Sequence, residues 1–344
     1  MSISALARCA SVISATGLLA ACGVPASMVW APSAFSNRAA NLKVVPSDLT
    51  RAKLGRNADT PNYKVSGPLL YVTSSDSPPY DAVTIYDAKA NNSNPIAVIN
   101  EDVAQANGDC LDAHGTLYVA SEPESGLGWI SEYALGETKP LREITNGINT
   151  PVFCAIDRQG NLWVTNIGDA TVTEYLKGAM VPHFILKNGL TQPDGIAIDH
   201  NGNIYVGNLD PSGTSNVQVY APGKKSPSRT ITDGVTWPVG ITVDARGTLY
   251  VTNDVSPCNI EEYRAGQSKS YRVVTKDIDG PVALAFARTG RLYEVNEGAQ
   301  GCTSNGPWPT ILEFRPGSLR PSKRTINSDL HVPSGVAYYP PLLP

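Results

Sequence analysis

Charge is scarce in this chain. Asp, Glu, Lys and Arg make up only 17% of its 344 residues, the formal net charge is −4, and Lys and Arg nowhere gather into a block. Nucleic-acid binding needs clustered cations that neutralise phosphates, so the sequence argues against such a partner. Histidine is rarer still, at four residues. His114 and His200 fall in hairpins, His183 and His331 near outer strands, and no two converge on a shared metal or base. A Gly-x-Ser-x-Gly elbow is also missing, which leaves no serine nucleophile to propose. Methionine is rare as well, whereas Gly (30), Pro (27) and Tyr (15) are plentiful and 42% of residues are hydrophobic. That balance suits many short strands joined by tight turns around a sizeable core.

The N-terminus reads as a targeting segment over 1–21. Arg8 is the only charge before residue 38, and the apolar or small run Cys9–Ala21 is too short to span a bilayer. It ends in Leu19-Ala20-Ala21-Cys22-Gly23, which resembles the lipobox of bacterial lipoproteins. That resemblance implies acylation of Cys22 and a chain anchored to the cell envelope, exported from the cytoplasm. An ordinary secretory signal cut near Ala21 or Ala26 is the alternative. Residues 22–66, rich in Ala, Ser, Pro and Asn, read as a flexible tether. A tether of about 40 residues has a reach of roughly 35 Å.

Self-similarity organises the rest. Asp244-Ala-Arg-Gly247-Thr-Leu-Tyr250-Val-Thr-Asn253 has relatives beginning at Asp112, Asp157 and Asp199, a degenerate copy from Ala287 and a shortened one at Leu69–Ser74. The anchor aromatics stand at Tyr71, Tyr118, Trp163, Tyr205, Tyr250 and Tyr293, a spacing near 45 that matches a propeller blade. Each copy parses into four strands. A small-residue inner strand, an Asp-x-x-Gly hairpin, a strand with the anchor aromatic, and a third strand ending in Tyr or Phe precede a short polar outer strand. Copy one lacks its inner strand, and Ser334–Tyr339 supplies it at the other end of the chain. The expectation is therefore an all-β, six-bladed β-propeller over 67–340, closed by the C-terminal strand 334–339. Its blades cover about 67–107 with 334–339, 108–151, 152–193, 194–238, 239–281 and 282–333.

The Gly-Asn-Ile-Tyr-Val-x-Asn and Pro-x-Gly-Ile-Ala-x-Asp phrases between Gly67 and Tyr339 resemble the six-bladed superfamily of NHL-repeat and SMP-30/gluconolactonase-like proteins. Leu249-Tyr-Val-Thr-Asn253 is also similar to the YVTN propellers, and the Gly-His and Trp-Asp pairs of WD40 repeats are absent. The resemblance implies two different functions, a ligand- or protein-binding module or a metal-dependent lactonase. The second would place a divalent cation such as Ca²⁺ at the channel mouth, held by Glu, Asn and Asp; no other cofactor is indicated. A structural envelope protein is a third possibility.

The loop face of such a propeller is the usual ligand face. Its candidates are Asp194, Asn166, Asn208, Asn253, Asn296 and Glu297, with Glu122, Asp210 and Asp254 nearby. The four Asn recur with the blade period, which favours bonding to their own loops over ligand duty. Asp194 does not recur: its counterparts are Asn107, Val152, Val239, Val282 and Ser334, so it is the candidate metal ligand or ligand-binding acid. The long loop Asn296–Thr310 adds Trp308 as a contact residue or a packing one. Cys258 pairs with Cys302, in equivalent loops of adjacent blades, and Cys110 with Cys154, in adjacent inner strands offset by one residue. The reading is a surface-tethered monomer, touching the membrane only through its anchor and binding an unidentified protein, glycan or small molecule.

Overall fold

A computed structural model describes residues 63–344 apart from 76–79, 93, 125, 212, 299–301 and 303–308. The expected signal segment with Cys22, nearly all of the expected tether, and Trp308 lie outside the described residues. Blade one holds β1 (Leu69–Ser74), β2 (Ala82–Asp87) and β3 (Ala97–Ile99). Blade two is β4 (Ala106–Leu111), β5 (Leu117–Ser121), β6 (Trp129–Tyr133) and β7 (Pro140–Ile144). Blade three is β8 (Pro151–Ile156), β9 (Leu162–Asn166), β10 (Thr171–Tyr175) and β11 (Phe184–Leu186). Blade four is β12 (Gln192–Ile198), β13 (Ile204–Leu209), β14 (Asn216–Tyr220) and β15 (Arg229–Ile231). Blade five is β16 (Pro238–Val243), β17 (Leu249–Asn253), β18 (Asn259–Tyr263) and β19 (Ser270–Val274). Blade six is β20 (Pro281–Phe286), β21 (Leu292–Asn296), β22 (Thr310–Phe314) and β23 (Pro321–Ile326), and β24 (Pro333–Tyr339) ends the fold. The inner strands start one or two residues ahead of the blade boundaries read from sequence.

The sheets are six, each four-stranded and antiparallel, and the first has the order β24-β1-β2-β3. The C-terminal strand is thus the inner strand of blade one, in register Leu69↔Tyr339 through Thr73↔Gly335. This pairing removes the free inner edge that an open array would present.

Local chemistry dictates each blade. In four hairpins the Asp carboxylate accepts two backbone N–H groups: Asp199 Oδ1 takes those of Asn201 and Asn203, both at 2.9 Å, while Gly202 turns at φ 79°. Asp112, Asp157 and Asp244 do the same. The sixth copy carries Ala287 there, and the backbone of Pro341 forms a β-bridge to it instead. Each third-strand Tyr is fully buried and donates its hydroxyl to a carbonyl in the loop before its own blade. Tyr133 reaches Glu101, Tyr175 Asn146, Tyr220 Asn188 and Tyr263 Asp233, at 2.5–2.7 Å. Tyr86 closes the circle on Ser328 at 2.8 Å, and Phe314 is the one third-strand aromatic without a hydroxyl. Hydrophobic clusters fill the gaps between blades; Tyr250, Ile260, Leu284, Phe286, Leu292 and Phe314 form the one between blades five and six. The inner strands pack almost backbone to backbone, and a Cβ on Gly195 would lie 1.9 Å from the carbonyl oxygen of Val239.

Both expected disulfides are present, with Cα–Cα distances of 5.7 Å for Cys110–Cys154 and 5.6 Å for Cys258–Cys302. The one-residue offset of the first pair has a simple cause. Consecutive blades face one another, so a side chain leaving β4 toward β8 is met by one of opposite strand parity. Cys110 lies opposite Tyr118 in its hairpin and Cys154 opposite Val164, and both pack in the cluster between blades two and three. Alkylation of the unreduced protein is expected to leave these four cysteines unmodified; four reactive thiols would contradict both bonds.

Candidate functional site

Inner and third strands start at the loop face, where second and outer strands end; the opposite face carries the Asp-x-x-Gly hairpins and the turns between third and outer strands. At the loop face the four repeated Asn clasp the chain. The Oδ1 atoms of Asn166, Asn208, Asn253 and Asn296 accept the backbone N–H of Asn149, Thr191, Thr236 and Asp279 at 2.6–3.1 Å. Their amide nitrogens are engaged too, that of Asn253 with the Gly234 carbonyl and Asn259 and that of Asn296 with the Asp277 carbonyl and Thr310. Each one ties the end of a second strand to the loop entering the same blade. Glu297 sits at the blade-six end of this rim, its backbone N–H on the Gly280 carbonyl at 2.8 Å.

Asp194 is different. It stands at the irregularity where β12 departs from regular pairing with β13, between Pro193 and Ile196. It is 0% exposed, and neither carboxylate oxygen has a hydrogen-bond partner. Burial, and then the neighbouring Asp254, push its carboxyl well above the usual carboxylate range. A second such acid, Glu294, escaped the sequence reading. It is also 0% exposed, its two oxygens are unpartnered, and burial followed by Asp279 raises it strongly. Its place in the second strand is held by Val119, Val164, Val206 and Val251 in other blades, so the signal was the break in the repeat.

Asp109 is the third acid of this kind. It stands where Ile196 and Ile241 stand in blades four and five, and burial pushes it well up. It lines a channel cavity of about 320 Å³ whose walls include Phe153, Ile241, Leu284 and Val336, with Leu342 and Leu343 of the C-terminal tail at the hairpin end. His331, in the loop between the outer strand β23 and β24, stacks on Tyr80 at 4.5 Å between ring centroids.

A calcium ion takes about six to eight oxygens. The Asn side chains that the lactonase resemblance would enlist are spent on backbone clasps. Among the described residues no group of three or more His, Cys, Asp or Glu is placed to hold a metal. The residues present therefore do not fit a protein cage for Ca²⁺, and no hydrolytic step is derived through one.

The two faces differ in charge. Among the described residues the loop-face segments carry thirteen Asp and Glu against two Lys, Lys187 and Lys276. The hairpin-face turns carry thirteen Lys and Arg against five Asp and Glu. Asp112 and Asp199 among those five acids are buried, whereas twelve of the thirteen cations are exposed. Sequence spacing hides this, because the turns lie tens of residues apart and only ring closure gathers them.

No family model matches the chain, and no curated protein matches it. Solved structures do. One, from the crystal structure of a nidogen/laminin complex, has a TM-score of 0.62 at 15% identity and covers 79% of this chain and 98% of its own. Another, a Bacteroides caccae protein of unknown function, has a TM-score of 0.59 at 17% identity over 79% of this chain and 99% of its own. At such identities the likeness establishes the β-propeller fold.

The buried acids have a measurable consequence. With its carboxyl raised above the ordinary value of 4.5, Glu294 keeps a proton in the folded chain that the unfolded chain releases. Its contribution to stability is full below the unfolded value and is lost as pH rises toward the raised native value. Asp109 and Asp194 act in the same direction. Glu294→Val is expected to stabilise the protein at neutral pH by about 1–3 kcal/mol and to flatten the decline of stability above pH ~5. Urea unfolding at several pH values checks this; a destabilised variant with an unchanged pH profile would contradict it.

Proposed function

We propose that the chain is an extracytoplasmic, envelope-tethered propeller of the NHL-like kind that binds a basic region of a protein partner through its loop face. The observation that carries this reading is the segregation of charge: eleven of the thirteen loop-face acids, all but the buried Asp254 and Asp279, are at least partly exposed, against two lysines. A rim with a strong excess of one sign attracts cationic partners. Two disulfides support an oxidising compartment. The lipobox-like Leu19–Gly23 supports the anchor. Tyr63, the first residue described, donates its backbone N–H to the Gly136 carbonyl in a hairpin-face turn at 2.8 Å, so the loop face is the one directed away from a tether. The fold neighbour from the nidogen/laminin complex supports a role in protein binding.

The lactonase-like hydrolase that the resemblance implies is the second reading; only the buried Asp194 beside Asp254 speaks for it, and no set of further oxygen ligands surrounds that pair among the described residues. Two measurements separate them. Labelled polylysine is expected to bind the native chain in low salt, about tenfold more weakly once Glu101, Glu124 and Asp277 are changed to Gln, Gln and Asn. Unchanged affinity would count against the loop face. Stoichiometric Ca²⁺ in protein purified without chelators, lost in Asp194→Ala together with lactone hydrolysis, would establish the hydrolase instead.

A further inference from the structure

The hairpin face combines two properties that rarely coincide on a surface exposed only to water. Of its thirteen Lys and Arg, twelve are exposed, and among the described residues only Arg291 is in an ion pair, with Glu313. Lys177, Lys224, Lys225, Arg264, Arg315 and Arg320 spread these cations over blades three to six. Among them stand large apolar side chains that the fold leaves uncovered. Leu176, Met180 and Val181 lie in the turn of blade three and Leu319 in that of blade six, all between 43% and 58% exposed. Blades three and six are opposite each other in the ring, so the aliphatic groups mark two ends of one surface with cations between them.

We infer that this face seats on an anionic phospholipid surface. Lys and Arg meet lipid phosphates and protruding aliphatic groups enter the headgroup region, a pairing that binds membranes through charge and apolar area together. A polyanion such as nucleic acid or an acidic glycan would use the cations and leave Leu176, Val181 and Leu319 without a role, so lipid is the occupant that accounts for both. The orientation rests on the tethered reading proposed above. The chain enters beside Gly136, on the same face, so an anchored molecule sits with its basic side down and its acidic loop rim outward. Membrane contact then goes beyond the anchor itself.

The test uses the full chain with Cys22→Ser, which removes the acylation site. Its sedimentation is compared with vesicles of phosphatidylcholine alone and of phosphatidylcholine mixed with phosphatidylglycerol. Any insertion of the N-terminal apolar segment is common to both vesicles, so the difference reports the face. The expected result is about tenfold or stronger binding to the anionic vesicles, falling with salt. That preference is lost on changing Lys224, Lys225, Arg264 and Lys269 to Glu, and binding is reduced severalfold by Leu176→Ser with Val181→Ser. Changing Glu101 and Glu124 to Gln leaves it intact. All these residues are exposed, and circular dichroism confirms that each variant folds. No preference for anionic vesicles overturns the proposal, whether or not mass measurement finds native Cys22 acylated. A preference that a short DNA duplex abolishes and the Ser substitutions do not touch overturns the lipid assignment in favour of a general polyanion site. A preference with Cys22 unacylated upholds the face and removes the anchor.

Discussion

Everything in this molecule depends on β24 pairing with β1. A propeller blade buries its faces only against its two neighbours, so an array of blades is stable as a ring and exposed as a row. Here the strand that closes the ring comes from the far end of the chain, and loops hundreds of residues apart are fixed around one axis by five backbone registers between Leu69↔Tyr339 and Thr73↔Gly335. The third-strand tyrosines repeat the constraint at the rim. Each hydroxyl fastens a blade to the loop before it, and Tyr86 does so across the closure. Inside the ring, Gly195 lets the backbones of adjacent inner strands touch, which leaves little room for side chains at the loop end of the channel.

Much of this was legible in the sequence because repetition makes errors visible. Six copies of one phrase established blade number, hairpin chemistry and the missing inner strand. The aligned cysteines established which loops and strands must be adjacent. The functional residues were harder to see for the same reason. The repeat singles out Asp194 because other blades carry something else there, and the same comparison exposes Glu294 among valines and Asp109 among apolar residues, Cys154, Ile196, Ile241 and Leu284. Along the sequence, however, a carboxylate inside a hydrophobic phrase reads as degeneracy of the repeat. Their burial at an interblade gap and at the channel wall became apparent only from packing.

Charge was the property least visible along the chain. A net charge of −4 with no basic block describes a bland surface, whereas folding sorts the same residues into an acidic rim and a basic base. The cause is strand polarity. Turns of one kind all fall on one face, so a slight bias per turn, toward Asp and Glu in the loops and Lys and Arg in the hairpins, is multiplied by the number of blades. A ring with one acidic and one basic side has a preferred orientation in any charged environment, which links the fold directly to where such a protein would sit and what it would meet.

Closure of the ring is the central feature of the molecule, and hydrogen exchange of individual amides measures it directly. In the intact chain, amides of β1 and β24 are expected to exchange as slowly as those of the inner strands of blades three and four, through global unfolding. Removing residues 333–344 is expected to abolish protection in β1 and to loosen blade six. Rapid exchange in β1 or β24 of the intact protein, or unchanged protection after the truncation, would contradict a closed six-bladed ring.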